Sequence, residues 1–330
     1  MRRALTLALA VLVVAAGATW LAFSRDMRAA HDRVTEGTAV VETRHGPVTY
    51  RAGGAGPPEF AIHGAALPVL AIHGAGGGHD QGQLLAEAFV PAGYRWIAPS
   101  RFGYPGSPMP PDPSTAAQAD AFAQLLDELG VERVTVLGMS GGVPPALQFA
   151  LRHPERTNSL VLLSLAPYAP LTAEEQELPI PIWLYDALFA TDLPLWALHR
   201  IAPRSLEPMF DAPPELAARM TPAEAGFLGA MIRAFFPVTL RREGLQNEGA
   251  AIDPRAAIDP TRITVPALVV HARDDQITPF STATFTAERI PGAELLALDR
   301  GGHLLLGHHE EVRHRIASFL DALPTTRTPD

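Results

Sequence analysis

Val134-Thr135-Val136-Leu137-Gly138-Met139-Ser140-Gly141-Gly142-Val143 is a run of β-branched and apolar residues that ends in G-M-S-G-G. A helix-compatible segment follows, so the order reads strand, very tight turn, helix, with Ser140 at the apex. Gly138 and Gly142 carry no side chain where strand and helix must approach closely, and a strained turn lifts the Ser140 hydroxyl clear of its neighbours. Pro144 and Pro145 would break a helix interior. In a first turn they are tolerated, because the backbone N–H groups there lack intrahelical partners, and this places the helix start right after Ser140. The five-residue pattern also arises by chance, so the rest of the chain has to supply a base, an acid and an oxyanion site.

The 330 residues, 47% hydrophobic and 18% charged, suffice for one large domain or for a core with an inserted subdomain. A formal charge of −9 and the lack of any basic run argue against a nucleic-acid partner. The absence of cysteine excludes disulfides, thiolate metal sites and a cysteine nucleophile.

Ala4 to Phe23 contains no charged side chain and follows Arg2 and Arg3. A helix of that length spans about 30 Å, the thickness of a bilayer core, so residues 1–24 read as a transmembrane anchor. A cleaved signal is the alternative, since Ala16-Gly17-Ala18 offers a small-residue cleavage site, although the apolar run exceeds the usual length of roughly 7–15 residues. Arg25, Arg28 and Arg33 follow the run, so charge alone does not set the orientation. The expectation is a single N-terminal pass in a bacterial inner membrane with an outward-facing domain, or secretion after cleavage. Residues 25–45 read as a tether, of which 25–38 form either a short polar helix or a plain link between membrane and domain.

Beyond the tether, Val40 to Thr43 and Pro47 to Arg51 predict a hairpin turning at His45-Gly46. Ala61-Ile62-His63-Gly64-Ala65 recurs as Ala71-Ile72-His73-Gly74-Ala75, and the second copy has an apolar strand before it and Gly76-Gly77-Gly78 after it. The first copy reads as an insertion or duplication. Helices are predicted over Gln81–Phe89 and Thr115–Leu129, the latter with Ser114 as N-cap and Gly130 as stop, and strands over Tyr94–Ala98 and Leu160–Leu165. The alternation predicts a mostly parallel sheet covered on both faces, with function at the carboxyl ends of its strands. Residues 46–170 form the first part of this core.

Residues 171–250 break the rhythm with recurring prolines and aromatic residues spread over predicted helices, and read as a helical insertion. Its aromatic and Met residues suit either an acyl pocket or ordinary packing on the core. The alternation resumes over 251–324, with strands at Val265–Val270 and Ala293–Leu298 and helices at Pro279–Arg289 and Gly307–Leu320. Residues 325–330 read as a loose tail.

A neutral serine hydroxyl is a weak nucleophile and needs a histidine base held by a carboxylate. Asp274 and Asp275 lie just past one strand, and His303 just past the next, so the chain order is serine, aspartate, histidine. His271, His308 and His309 are rival bases, but the last two fall on a helix. Gly76-Gly77-Gly78 lacks both a following Lys-Ser or Lys-Thr and a dinucleotide fingerprint, so no nucleotide cofactor is expected. His73 and His79 have no partner at metal-ligand spacing; no metal is expected, and His73 reads as a loop-shaping residue.

In H-G-A-G-G-G at 73–78, G-M-S-G-G at 138–142, D-D-Q-I-T-P at 274–279 and G-G-H at 301–303 the chain resembles the α/β-hydrolase fold family. The resemblance covers residues 46–323. It implies an α/β fold with an eight-stranded, mostly parallel sheet, helices on both faces and a helical cap inserted after the sixth strand. It implies Ser140 as nucleophile, His303 as base and Asp275, four residues before Pro279, as the acid in preference to Asp274. It implies an oxyanion hole from the backbone N–H groups of Gly141 and Ala75, with Gly76 as the alternative, in a loop shaped by His73, Gly74 and Gly76. The expected function is hydrolysis of a carboxylic ester of a small or lipid-like substrate through an acyl-enzyme, without cofactor. A carbon-carbon bond hydrolase, an amidase or a perhydrolase would keep the same triad, and a non-catalytic membrane-tethered binding protein is the rival of a different class.

Overall fold

The computed structural model describes residues 2–54, 67–168, 182–251 and 258–323. The first A-I-H-G-A copy, the side chains of Trp183 and Tyr185, and the tail lie outside them. Eight strands form one sheet: β1 (Ala39–Thr43), β2 (Gly46–Gly54), β3 (Val69–Ile72), β4 (Arg95–Pro99), β5 (Val134–Met139), β6 (Thr157–Leu163), β7 (Ala267–Ala272) and β8 (Glu294–Leu298). Their order is β1-β2-β4-β3-β5-β6-β7-β8. Pairing is antiparallel where β2 meets β1 and β4, and parallel elsewhere.

The central strands are near-continuous apolar runs because both of their faces are covered. Alternation divides each strand between two cores. Leu137, Met139, Val161, Leu163, Leu268 and Val270 face one side, where they pack with α2 (His79–Phe89) and α11 (His309–Asp321). Leu70, Ile72, Val136, Leu162 and Val269 face the other, against α3 (Thr115–Glu128), α4 (Val143–Arg152) and α10 (Phe280–Arg289). Burying each such side chain stabilises the fold by about 1.5–3 kcal/mol. α3 starts as its sequence predicts, with the Ser114 hydroxyl accepting from Ala117 N at 3.1 Å, and Gly130 beyond its end takes φ 64.

Between β6 and β7 the described residues are mostly helical: α5 (Ile182–Phe189), α6 (Leu193–Ile201), α7 (Pro214–Ala217), α8 (Pro222–Ala234) and α9 (Arg242–Ala251), with 3-10 turns at Pro203–Phe210, Val238–Arg241 and Pro260–Arg262. The prolines that disturb the sequence pattern sit mostly in first turns, where they start helices rather than break them. Thr221 and Glu224 close a reciprocal capping box on α8. Arg241 roots this cap in the core: wholly buried, it pairs with Asp80 at 2.7 Å and donates to the carbonyls of Ala234, Phe235 and Gly77. Burial alone would raise the Asp80 pKa, but the Arg241 charge and hydrogen bond, His79 and the Gln81 N–H together outweigh it and hold the carboxyl below its usual value.

The N-terminus departs from expectation. Residues 25–35 do not form a separate tether: α1 runs unbroken from Arg2 to Thr35. Phe23, Met27, Ala30 and Val34 lie on one helical face and join the core or its margin. Phe23 meets Trp196 edge-on at 5.3 Å, the Trp196 indole donates to Asp26, and Arg33 donates to the carbonyls of Arg233 and Phe236. These contacts give the polar half a helix-stabilising surface that a free tether lacks. The preceding apolar half is exposed and long enough to cross a membrane, a property that signal sequences share.

Candidate active site

Ser140 directly follows β5 and takes φ 52, a left-handed conformation rarely taken by a non-glycine residue. The surroundings enforce it. A Cβ on Gly142 would lie 2.4 Å from Ile72 O, and one on Gly138 would lie 2.7 Å from Gly142 O, so strand, turn and helix pack backbone to backbone. The helix does not begin directly after Ser140. Residues Ser140–Gly142 form one 3-10 turn and α4 starts at Val143, with both prolines in its first turn.

The loops after β7 and β8 bring Asp275 and His303 together. His303 Nδ1 lies 2.9 Å from Asp275 Oδ2. Three further donors hold the carboxylate: Ile277 N at 2.8 Å, Thr278 N at 2.9 Å and the Thr278 hydroxyl at 2.8 Å. Burial opposes the charge, but hydrogen bonds from His271 and His303 prevail and hold Asp275 far below the usual carboxylate range. An ionised carboxylate only accepts, so His303 carries its proton on Nδ1 and leaves Nε2 able to take another.

His271 is held against the Asp275 carboxylate. The Leu165 N–H donates to His271 Nδ1 at 3.2 Å, so the ring proton sits on Nε2, 3.2 Å from both Asp275 Oδ2 and Thr278 O. Asp274, the other candidate acid, instead accepts from Gly302 N at 2.9 Å. Asp211, from the cap, accepts from His303 N at 2.9 Å and Gln276 N at 3.0 Å, tying both loops together. Burial, reinforced by the Asp275 charge, raises its pKa despite those bonds. Its separation in sequence from both loops hides this role from a local reading.

The second A-I-H-G-A copy places the glycine-rich loop beside Ser140. A Cβ on Gly74 would stand 2.9 Å from Ser140 Cβ. His73, fully buried, shapes the loop: its Nδ1 lies 2.7 Å from Gly74 O, while its Nε2 accepts from Arg101 N at 3.0 Å. Burial and the neighbouring Arg101 charge keep the ring neutral, well below its ordinary pKa. Gly76 N donates to the Tyr104 hydroxyl at 3.1 Å, which engages the amide of the alternative oxyanion residue. The Ala75 amide N is 3.2 Å from the point a Gly141 Cβ would occupy, so Ala75 and Gly141 adjoin in front of the turn. Of the cap aromatics, Phe235 reaches this loop, its ring 2.6 Å from a Cβ position at Gly76, while Phe189, Trp196 and Phe236 pack into the core.

A charged cluster missed in the sequence stands against Gly141. Arg101, on the loop after β4, pairs twice with Glu248 of α9, at 2.8 and 3.0 Å, and the Tyr104 hydroxyl donates to the same carboxylate at 2.5 Å. Burial opposes the Arg101 charge, yet Glu248 more than compensates and raises its pKa; burial and Glu248 together push the Tyr104 phenol well up. The position of Arg101 at a strand's carboxyl end was a usable signal. Glu248, 147 residues away, offered none. Among the described residues no group of three or more His, Cys, Asp or Glu is placed to hold a metal ion.

Residues 68–310 match the α/β hydrolase fold family. The chain is 30% identical over 234 residues to a 2-hydroxymuconate semialdehyde hydrolase of Pseudomonas putida, covering 68% of this chain and 76% of the relative. It is 32% identical over 231 residues to a pimeloyl-[acyl-carrier protein] methyl ester esterase of Aromatoleum aromaticum, covering 68% and 86%. Among solved structures, an α/β hydrolase fold protein from Nakamurella multipartita superposes with a TM-score of 0.67 at 28% identity, over 86% of this chain and 98% of the other. The sheet order, the serine at the strand-to-helix turn and these matches together place the chain in the α/β-hydrolase fold family, among hydrolases.

Proposed function

We propose that the chain is a serine hydrolase that cleaves a carboxylic ester of a small or lipophilic substrate through an acyl-enzyme. The observation that carries this reading is the Asp275-oriented His303 on the sheet edge that also presents Ser140 in a strained turn. In this mechanism Ser140 Oγ attacks the ester carbonyl carbon while His303 Nε2 takes the hydroxyl proton. The imidazolium is stabilised by Asp275, and the tetrahedral oxyanion accepts from the Gly141 and Ala75 N–H groups. His303 then passes its proton to the alkoxide leaving group, which departs as the alcohol. Water, deprotonated by the same Nε2, attacks the acyl-enzyme; the bond to Ser140 Oγ breaks, His303 returns the proton to that oxygen, and the acid is released.

Labelling with a fluorophosphonate tests the assignment. The expected adduct sits on Ser140 and is lost in Ser140→Ala; a folded protein that does not react removes the enzyme reading. The second reading, carbon-carbon bond hydrolysis on the same triad, is favoured by the relatives named as 2-hydroxymuconate semialdehyde hydrolases. The exposed apolar half of α1 supports placement of the enzyme at a membrane.

A further inference from the structure

Glu248 occupies a revealing place. Its Oε2 lies 2.6 Å from the Cβ position of Gly141, the same point that is 3.1 Å from Arg101 Nη1 and 3.2 Å from the Ala75 amide N. A carboxylate of the cap thus stands against the two residues whose amides receive the oxyanion in the proposed mechanism. Its carboxylate opposes the charge that develops on the reacting carbonyl oxygen, whereas the Arg101 cation 3.1 Å from the same point favours it, so withdrawal of Glu248 would favour turnover.

Its withdrawal leaves a particular receptor. Arg101 is 5% exposed, and with Tyr104 it presents three donors that now converge on one carboxylate: Nη1, Nη2 and the phenol hydroxyl. The Arg101 Nε is buried with no hydrogen-bond partner. Both receptor residues belong to the core loop after β4, whereas the occupant belongs to the cap helix α9. Once Glu248 leaves, a neutral ester abandons a buried guanidinium without a counter-charge, which is strongly unfavourable. A substrate carboxylate restores the pair with the same planar two-point geometry.

We propose that Arg101, with Tyr104, is the receptor for a carboxylate carried by the substrate close to its reacting carbonyl, and that Glu248 fills this receptor until such a substrate displaces it. The substrate class is therefore a monoester of a short dicarboxylic acid or a comparable acyl acid. The inference rests on the serine hydrolase reading and narrows it.

The test compares the full-length enzyme on monomethyl succinate and monomethyl glutarate with the neutral, near-isosteric methyl butyrate and methyl valerate. The anionic esters are expected to have a KM lower by about tenfold or more, and free glutarate should compete with methyl valerate. Glu248→Gln removes the internal competitor's charge and should lower KM for the anionic esters further, by about tenfold, with a smaller change in kcat. Arg101→Gln should abolish the preference. If Arg101→Gln does not fold, the Glu248→Gln and glutarate measurements decide alone. Turnover of neutral esters with no anionic preference, no glutarate inhibition and no KM shift in Glu248→Gln overturns the receptor while leaving the hydrolase intact. Failure of both ester classes together with absent fluorophosphonate labelling overturns the hydrolase reading itself.

Discussion

Replacing Asp275 by asparagine separates the proposed acid from its neighbour Asp274. The Asp275 carboxylate receives five donors: Oδ1 accepts from Ile277 N and Thr278 N, and Oδ2 from the Thr278 hydroxyl, His303 Nδ1 and His271 Nε2. An asparagine oxygen can keep the two amide bonds. Its NH2 then stands where Oδ2 was, facing three donors. His303 escapes the clash of donors only by moving its proton to Nε2, and that tautomer is no longer a base. The expected loss in kcat is about 10⁴-fold, or roughly 5 kcal/mol in the barrier, as when the orienting carboxylate of such a triad is neutralised. Asp274→Asn preserves the acceptor for Gly302 N, bonded at 2.9 Å, and should change kcat by no more than about threefold. Initial rates on a short-chain ester, normalised to active sites counted with a fluorophosphonate, measure both. Equal losses, or the larger loss in Asp274→Asn, would refute the assignment of the acid.

Stability should fall as pH drops from 6.5 towards 4. His79, 1% exposed, has its pKa lowered from 6.5 to about 4, by burial first, so over that window the unfolded chain binds a proton that the folded chain refuses. That contribution amounts to about 3 kcal/mol, read as a steeper pH dependence of urea unfolding in wild type than in His79→Leu; parallel curves would remove His79 as the cause. Gly142→Ala places a Cβ 2.4 Å from Ile72 O and 2.7 Å from His73 O, and should lower stability by about 3 kcal/mol or prevent folding; an unchanged melting temperature contradicts the tight elbow. Intact mass of the membrane-expressed protein should include residues 1–18. A chain beginning at Thr19 would show a cleaved signal.

What could be read from the sequence was whatever local physics determines. Apolar runs stop where strands stop, and the residues just past those stops, Ala75, Ser140, Asp275 and His303, lie at the carboxyl edge of the sheet because parallel strands all end on the same side. Prolines in first turns and the Ser114 cap belong to the same class of signal. The α1 helix shows the boundary of that reading. Its positions 23, 27, 30 and 34 carry a helical apolar stripe through a segment rich in charge, yet whether such a stripe becomes a helix depends on a surface to pack on, here Trp196 and the rest of the cap. Periodicity could have suggested the element; only the fold supplies its partner. Asp211 and Glu248 go one step further, because each meets a partner distant in sequence, and no period or spacing encodes such a pairing; His271, four residues before Asp275, is visible locally, but its contact with that carboxylate is not. All three bear on the charge at the site: His271 meets the Asp275 carboxylate, Asp211 accepts from His303 N, and Glu248 pairs with Arg101. The local signals therefore mark Ser140, Asp275 and His303, while Asp211 and Glu248 reach the site only through long-range packing of the cap on the core.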